Sequence, residues 1–172
     1  MLVPHANGPS YGFMPQTAGE WSNIASEASV SASNVRLGSA AQDLCDGAVM
    51  FHDDGILSEC VFGTGDVQVT IAFKNYRQVR ALFVFNGFDG GKALDTIESA
   101  EFYCRDEKTG KKYIAYTDTL DFDWNRYKKD GEYIPGGSFA IGFDTIYVNK
   151  IVIRLPQENY ERAISEIMIL GK

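Results

Sequence analysis

A strict alternation of side-chain character over Val67–Phe73 (VQVTIAF) constrains the fold more than any other feature of this chain. Successive residues of a strand point to opposite faces, so Val67, Val69, Ile71 and Phe73 share one apolar face with polar or small residues between them. A helix would scatter these residues around its axis. The same strand-like reading extends to Gln78–Asn86 (QVRALFVFN), which is more continuously apolar and so reads as central, and to Ile97–Arg105 (IESAEFYCR), which alternates again. Glu107-Lys108-Thr109-Gly110 then makes a hairpin into Lys111–Thr117, and Ser138–Phe143, Ile146–Leu155 and Ala163–Leu170 follow. Asn23–Asn34, with alternating small and polar residues, suits an edge strand. About eight strands joined by turn signals, with no long helix between them, predict an all-β antiparallel sandwich.

The domain boundaries follow from the same pass. Residues 1–22, with Pro4, Pro9 and Pro15 among glycines, read as an irregular arm whose end Trp21 pins to the body. Residues 23–172 read as one sandwich, since no repeat, low-complexity tract or linker divides them. The aromatic content (Tyr 9, Phe 11, Trp 2) with abundant Val, Ile and Thr favours strands.

Charge and motif content narrow the function. A formal net charge of −7 argues against a nucleic-acid partner, which needs a basic footprint. No apolar run approaches the roughly 20 residues of a membrane helix. The start of the chain has no basic region followed by an apolar one, so an exported protein would carry its signal on a longer or untrimmed parent. Nothing in the sequence matches a nucleophile elbow or a zinc-protease helix, and the expectation is a protein without enzymatic activity. Cys45, Cys60 and Cys104 have neither C-x-x-C spacing nor histidine partners; buried free thiols are the first reading, with a Cys45–Cys60 bridge left open.

Asp43-Leu44-Cys45-Asp46-Gly47-Ala48 is the most suggestive short stretch. Asp46-Gly47 is turn chemistry, and two carboxylates three residues apart beside free carbonyls are the beginnings of a hard-cation site. The alternative is a solvated acidic turn or a short helix end. A second acidic run, Asp121-x-Asp123-x-Asn125 with Glu132 at the twelfth place, imitates a calcium loop, but Arg126 stands where that loop needs Gly, and a polar loop is the reading preferred.

The segments NIASEASVSASN…AAQDLCDG (residues 23–47) and AISEIMILGK at the end, with V-Q-V-T-I-A-F followed by V-R-A-L-F-V-F between them, resemble the coagulation factor 5/8 type C, or discoidin, domain. That group includes family 32 carbohydrate-binding modules and other galactose-binding-like folds, and the resemblance spans roughly residues 23 to 171. It implies a jelly-roll sandwich and a structural calcium held by the carbonyl of Asp43, the carboxylate of Asp46, the carbonyl of Ala48, the carbonyl of Ser165 and the carboxylate of Glu166. The Thr of the family pattern is Phe51 here, leaving Asp53, Asp54 or Ser58 to replace it. It also implies a recognition module on an extracellular or cell-surface protein, possessing no catalysis of its own, with a glycan or cell-surface glycoprotein as partner. A protein–protein adhesion domain and an accessory domain of a glycoside hydrolase are the alternatives.

Sugar sites combine a flat ring for stacking with fixed donors and acceptors, and loops between strands supply both. Asp123–Lys128 clusters Trp124, Arg126 and Tyr127; Asn86–Lys92 adds Asn86 and Phe88; Phe51-His52-Asp53 adds His52. These six are the expected sugar contacts, and Tyr160-Glu161-Arg162 is a further candidate loop.

Overall fold

The computed structural model describes residues 17–47, 59–87, 92–133 and 137–172. In chain order the strands are β1 (Thr17–Ala18), β2 (Trp21–Asn23), β3 (Ser29–Ala32), β4 (Cys60–Phe62), β5 (Gly65–Asn86), β6 (Thr96–Ile97), β7 (Ser99–Arg105), β8 (Lys112–Tyr116), β9 (Leu120–Asp121), β10 (Lys128–Lys129), β11 (Glu132–Tyr133), β12 (Ser138–Glu158) and β13 (Arg162–Gly171). The helical pieces are short: 3-10 turns at Ala25–Glu27 and Ala41–Cys45, and one α-turn, α1 (Trp124–Tyr127). The expected sandwich is what forms.

Two long strands build both layers. The first part of β5 pairs with β3 and with the second part of β12, which continues to β7 and β8. The later part of β5 pairs with the first part of β12 and with β13, which carries β2 and β4. The ladder between β5 and β12 breaks between Arg77↔Val148 and Ala72↔Lys150, where the β5 side holds extra residues. Such an irregularity bends the strands, and Tyr76 stacks on Tyr147 at the bend with ring centroids 5.2 Å apart.

Between the layers, Val67, Val69, Ile71 and Phe73 are all buried, as their alternation requires, facing Leu82, Val84, Ile141, Ile167 and Ile169 in one continuous core. Burying each such side chain stabilises the fold by roughly 1.5–3 kcal/mol. Gln78–Asn86 reads as central because its other face is buried too: Ala81, Phe83 and Phe85 form a second cluster with Met168. The predicted hairpin lies where expected, with Gly110 N–H donating to the Asp106 carbonyl between β7 and β8.

The N-terminal boundary differs from expectation. Residues 17–22 were expected in an irregular arm, yet β1 and β2 form a hairpin and β2 pairs with the last strand (Asn23↔Leu170, Ser22↔Gly171). Trp21 is held between Arg80 and Lys172, whose cationic groups lie 5.1 and 4.8 Å from its ring. Residues 1–16 lie outside the described residues. The 23–34 segment is only partly strand, because a 3-10 turn at Ala25–Glu27 intervenes before β3, which pairs with β5 alone.

Candidate functional site

The two chain segments expected to share a cation do meet. Asp46 ends the 3-10 turn Ala41–Cys45, and Gly47 follows with φ +89°, a conformation that glycine adopts without strain. That turn aims the Gly47 N–H at Oε1 of Glu166, 3.2 Å away on β13. Glu166 is fully buried, its Oε2 has no hydrogen-bond partner, and the Asp46 carboxyl lies against it. Burial, and then the Asp46 charge, push the Glu166 carboxyl up to about 9. Burial, and then the same acidic pair, push the neighbouring Cys45 thiol far up. Ser165 is fully buried beside Glu166. The Asp43 carboxylate caps the turn, its Oδ2 accepting the Ala40 N–H at 3.2 Å. Ala48, Phe51, Asp53, Asp54 and Ser58 lie outside the described residues. Among the described residues no three His, Cys, Asp or Glu side chains gather as a metal-binding group. Two carboxyl groups with adjacent carbonyls are nonetheless hard oxygen donors, and an orphaned buried carboxylate oxygen is what a cation would satisfy.

The acidic run at 121–132 has other employment. Asp121 lies in β9 and accepts the Thr96 hydroxyl at 3.1 Å. Asp123 caps α1, accepting the Arg126 N–H at 3.2 Å. Both carboxylates are thus turned to local structure.

The expected sugar residues separate into several groups. Tyr127 is buried, stacked on Phe122 at 5.2 Å, and both rings press on the backbone at Gly137, where a Cβ would come within 2.7 Å of each. Asn86 is also enclosed: its Nδ2 donates to the Leu94 carbonyl at 2.8 Å, and its Oδ1 accepts the N–H groups of Leu94 and Gly87. A side chain whose groups are spent inside the fold is a clamp for the loop base, not an exposed contact. Phe88 and His52 lie outside the described residues. Trp124 is half-buried, with its ring edge-on to Phe122 at 4.8 Å and its Nε1 donating to Asp95 Oδ1 at 2.8 Å.

Asp95 extends that contact into a rim. Its Oδ2 lies 3.9 Å from Lys92 Nζ, which sits 4.1 Å above the Tyr160 ring. Trp124, Asp95, Lys92 and Tyr160 therefore form a continuous row of two rings joined by a carboxylate and an ammonium. Gly87 and Lys92 are both tied to the strand behind: Gly87 N–H donates to the Ala163 carbonyl, and Lys92 exchanges bonds with Glu161 and Ala163. Next to Tyr160, Glu161 pairs with Arg36 at 2.8 Å. Arg162 is buried, donating to the carbonyls of Pro156 and Gly65, so of the 160–162 candidate loop it supplies support and not a contact surface.

Beside α1 lies a cavity of about 170 Å³ walled by Asp121, Asp123, Arg126, Tyr127 and Ser138, among others. Ser138 Oγ is buried with no hydrogen-bond partner. The Arg126 guanidinium stands 5.8 Å from the Tyr127 ring. Sequence reasoning missed Asp95, Ser138 and Gly137; only the Gly136-Gly137 pair beside the aromatic cluster carried a signal, since close ring packing on backbone needs a residue without a side chain.

Strand pairing, the enclosed core and this chain path define a galactose-binding-like β-sandwich. Solved structures share it across nearly the whole chain. A fucose binding module from Streptococcus pneumoniae matches with a TM-score of 0.66 at 12% identity, covering 91% of this chain and 99% of its own. A mutant of the lectin binding domain of Lectinolysin complexed with Lewis b matches at 0.61 and 16% identity, over 91% of this chain and 98% of its own. GH31 CBM32-2 bound to GalNAc matches at 0.55 and 16% identity, over 84% and 99%. No protein-family model matches the chain, and no curated protein matches its sequence.

Proposed function

We propose that this protein is a non-catalytic glycan-recognition module of an extracellular or cell-surface protein, binding sugar at the loop end formed by residues 92–95, 124–126 and 160. The observation that carries this reading is the row Trp124–Asp95–Lys92–Tyr160. A pyranose offers an apolar C–H face and a ring of hydroxyls. Two partly exposed rings supply stacking surface, while Asp95 accepts and Lys92 donates from positions already fixed by their mutual contacts. Prior fixation lowers the entropy lost on binding. Arg126, at the cavity beside α1, adds donors there, and Phe88 and His52, outside the described residues, remain proposed contacts. Tyr127 and Asn86 act beneath it as supports. The fold shared with the fucose-binding and GalNAc-bound modules supports the reading.

A structural calcium belongs to the same proposal. The carboxylates of Asp46 and Glu166, with the carbonyls of Asp43, Ala48 and Ser165, would hold it, tying the first loop to the last strand. The cation supplies charge neutralisation for a buried acidic pair and takes no part in sugar binding.

The test is a glycan array probed with the purified protein, with and without EDTA. Retained signal for fucosylated or galactose-type glycans in both conditions is the expected result. An array without signal at high protein concentration would overturn glycan recognition and favour a protein partner for the same loops.

A further inference from the structure

Four large apolar side chains stand exposed among the described residues, Leu37, Tyr113, Ile114 and Tyr116, and three of them lie on the five-residue strand β8. This strand ends its layer: it pairs with β7 on one side, and no described strand pairs with the other. A free, apolar edge is a template for strand addition, which proteins otherwise blunt with charge, proline or cover.

The ladder shows which groups the edge offers. Lys111 accepts at its carbonyl from Asp106 N–H at 2.8 Å, and Thr117 N–H donates to the Ala100 carbonyl at 3.0 Å. Backbone groups alternate sides along a strand, so odd-numbered residues of β8 bond β7. The N–H and C=O groups of Lys112, Ile114 and Tyr116 therefore point away from the sheet. The same three side chains lie on its outer face, where Ile114 neighbours Tyr103 and Tyr116 neighbours Glu101.

We propose that β8 is a homodimerisation strand, pairing antiparallel with β8 of a second copy about a two-fold axis at Ile114. This register sets Ile114 opposite its mate and Lys112 opposite Tyr116 of the partner copy. All three outward positions then fall in hydrogen-bonded pairs, each exchanging two bonds. A slip of one residue would set outward groups against inward ones, and a slip of two would leave one outward position beyond the partner strand. Charge selects the same arrangement. The segment begins with Lys111-Lys112 and ends at Asp118, so antiparallel pairing brings each basic head to the partner's acidic tail. Parallel pairing would stack lysine on lysine. The cross-strand Lys112–Tyr116 contacts add ammonium–ring attraction on the outer face, as Lys150 already makes with Tyr103 at 3.6 Å. An isologous contact of this kind closes as a dimer and leaves no edge for a third copy. A dimer would present two loop ends at once, although the pairing itself is independent of any glycan.

Sedimentation velocity over a wide concentration range, without glycan, is the test. The wild type is expected to double in mass as concentration rises. Ile114→Pro is expected to stay monomeric with its melting temperature nearly unchanged, because proline removes an N–H that β7 does not use. Cysteine at the axis provides a second readout. Residues in a hydrogen-bonded pair have Cα atoms about 5.5 Å apart, within disulfide range. Ile114→Cys should oxidise to a covalent dimer, whereas Tyr116→Cys, about 15 Å from its mate in this register at roughly 3.4 Å per residue, should not. The native cysteines are buried and do not compete. A wild type that stays monomeric with no selective Ile114→Cys cross-link would overturn the proposal. So would a dimer indifferent to Ile114→Pro, open-ended assembly, or a β8 edge that pairs only with a different protein.

Discussion

Glu166 provides a pH-dependent stability switch. In the folded protein its carboxyl is pushed from an ordinary 4.5 to about 9, first by burial and then by Asp46. A carboxyl that holds its proton more tightly when folded stabilises the fold fully at pH below 4.5. That contribution is lost as the pH climbs toward 9. At pH 7.5 the solution lies about 3 pH units above the unfolded-state value, and at ~1.4 kcal/mol each the cost approaches ~4 kcal/mol. This is a ceiling, because the surroundings of a buried charge relax to meet it. For a domain of this size ~4 kcal/mol corresponds to roughly 8–16 °C in melting temperature. Glu166→Gln keeps an acceptor for Gly47 N–H and removes the titration. In EDTA, the variant should melt well above the wild type at pH 7.5 and converge with it near pH 4.5. Millimolar Ca²⁺ should then raise the wild type at pH 7.5, by about 2.7 kcal/mol if its concentration is 100 times Kd, and leave Glu166→Gln unmoved. Calorimetry across pH 4.5–8 reads all of this. Parallel melting curves for the two proteins in EDTA would refute the reasoning, and a wild type indifferent to Ca²⁺ would remove the ion.

Two other perturbations test the support of the site. Gly137→Ala places a Cβ 2.7 Å from the rings of Phe122 and Tyr127, so it should destabilise by about 1–3 kcal/mol in urea unfolding. The thiols of Cys45, Cys60 and Cys104 are buried, Cys60 pushed up to about 12 by burial and Asp43, so a thiol reagent at pH 8 should modify none until the protein unfolds and then all three.

The layers were legible because alternation is a local property: Val67, Val69, Ile71 and Phe73 declare their face without reference to anything distant. The meeting of Asp46 with Glu166 is different in kind. Nothing in the spacing of two residues so far apart predicts it, and only the resemblance of the chain ends brought it forward. The loop aromatics show where such reading stops. Tyr127 and Trp124 sit among equally polar neighbours, yet one ring turns inward onto Gly137 while the other stays half-exposed on Asp95, a choice made by the packing of Phe122 and Phe139. Asn86 ends a strand whose apolar run gave no hint that its amide would close the loop to Leu94. The arm was misjudged from residue 17 because glycine and proline content conceals pairing that a partner strand, here β13, can impose.

Calorimetric titration of a glycan that binds the wild type, repeated with Lys92→Ala and Tyr160→Ala, tests the recognition rim most directly. Both side chains lie at the surface row and outside the core, so the melting temperature should hold while each variant loses about tenfold in affinity, or ~1.4 kcal/mol. Unchanged affinity in both variants would place the sugar elsewhere and contradict the account.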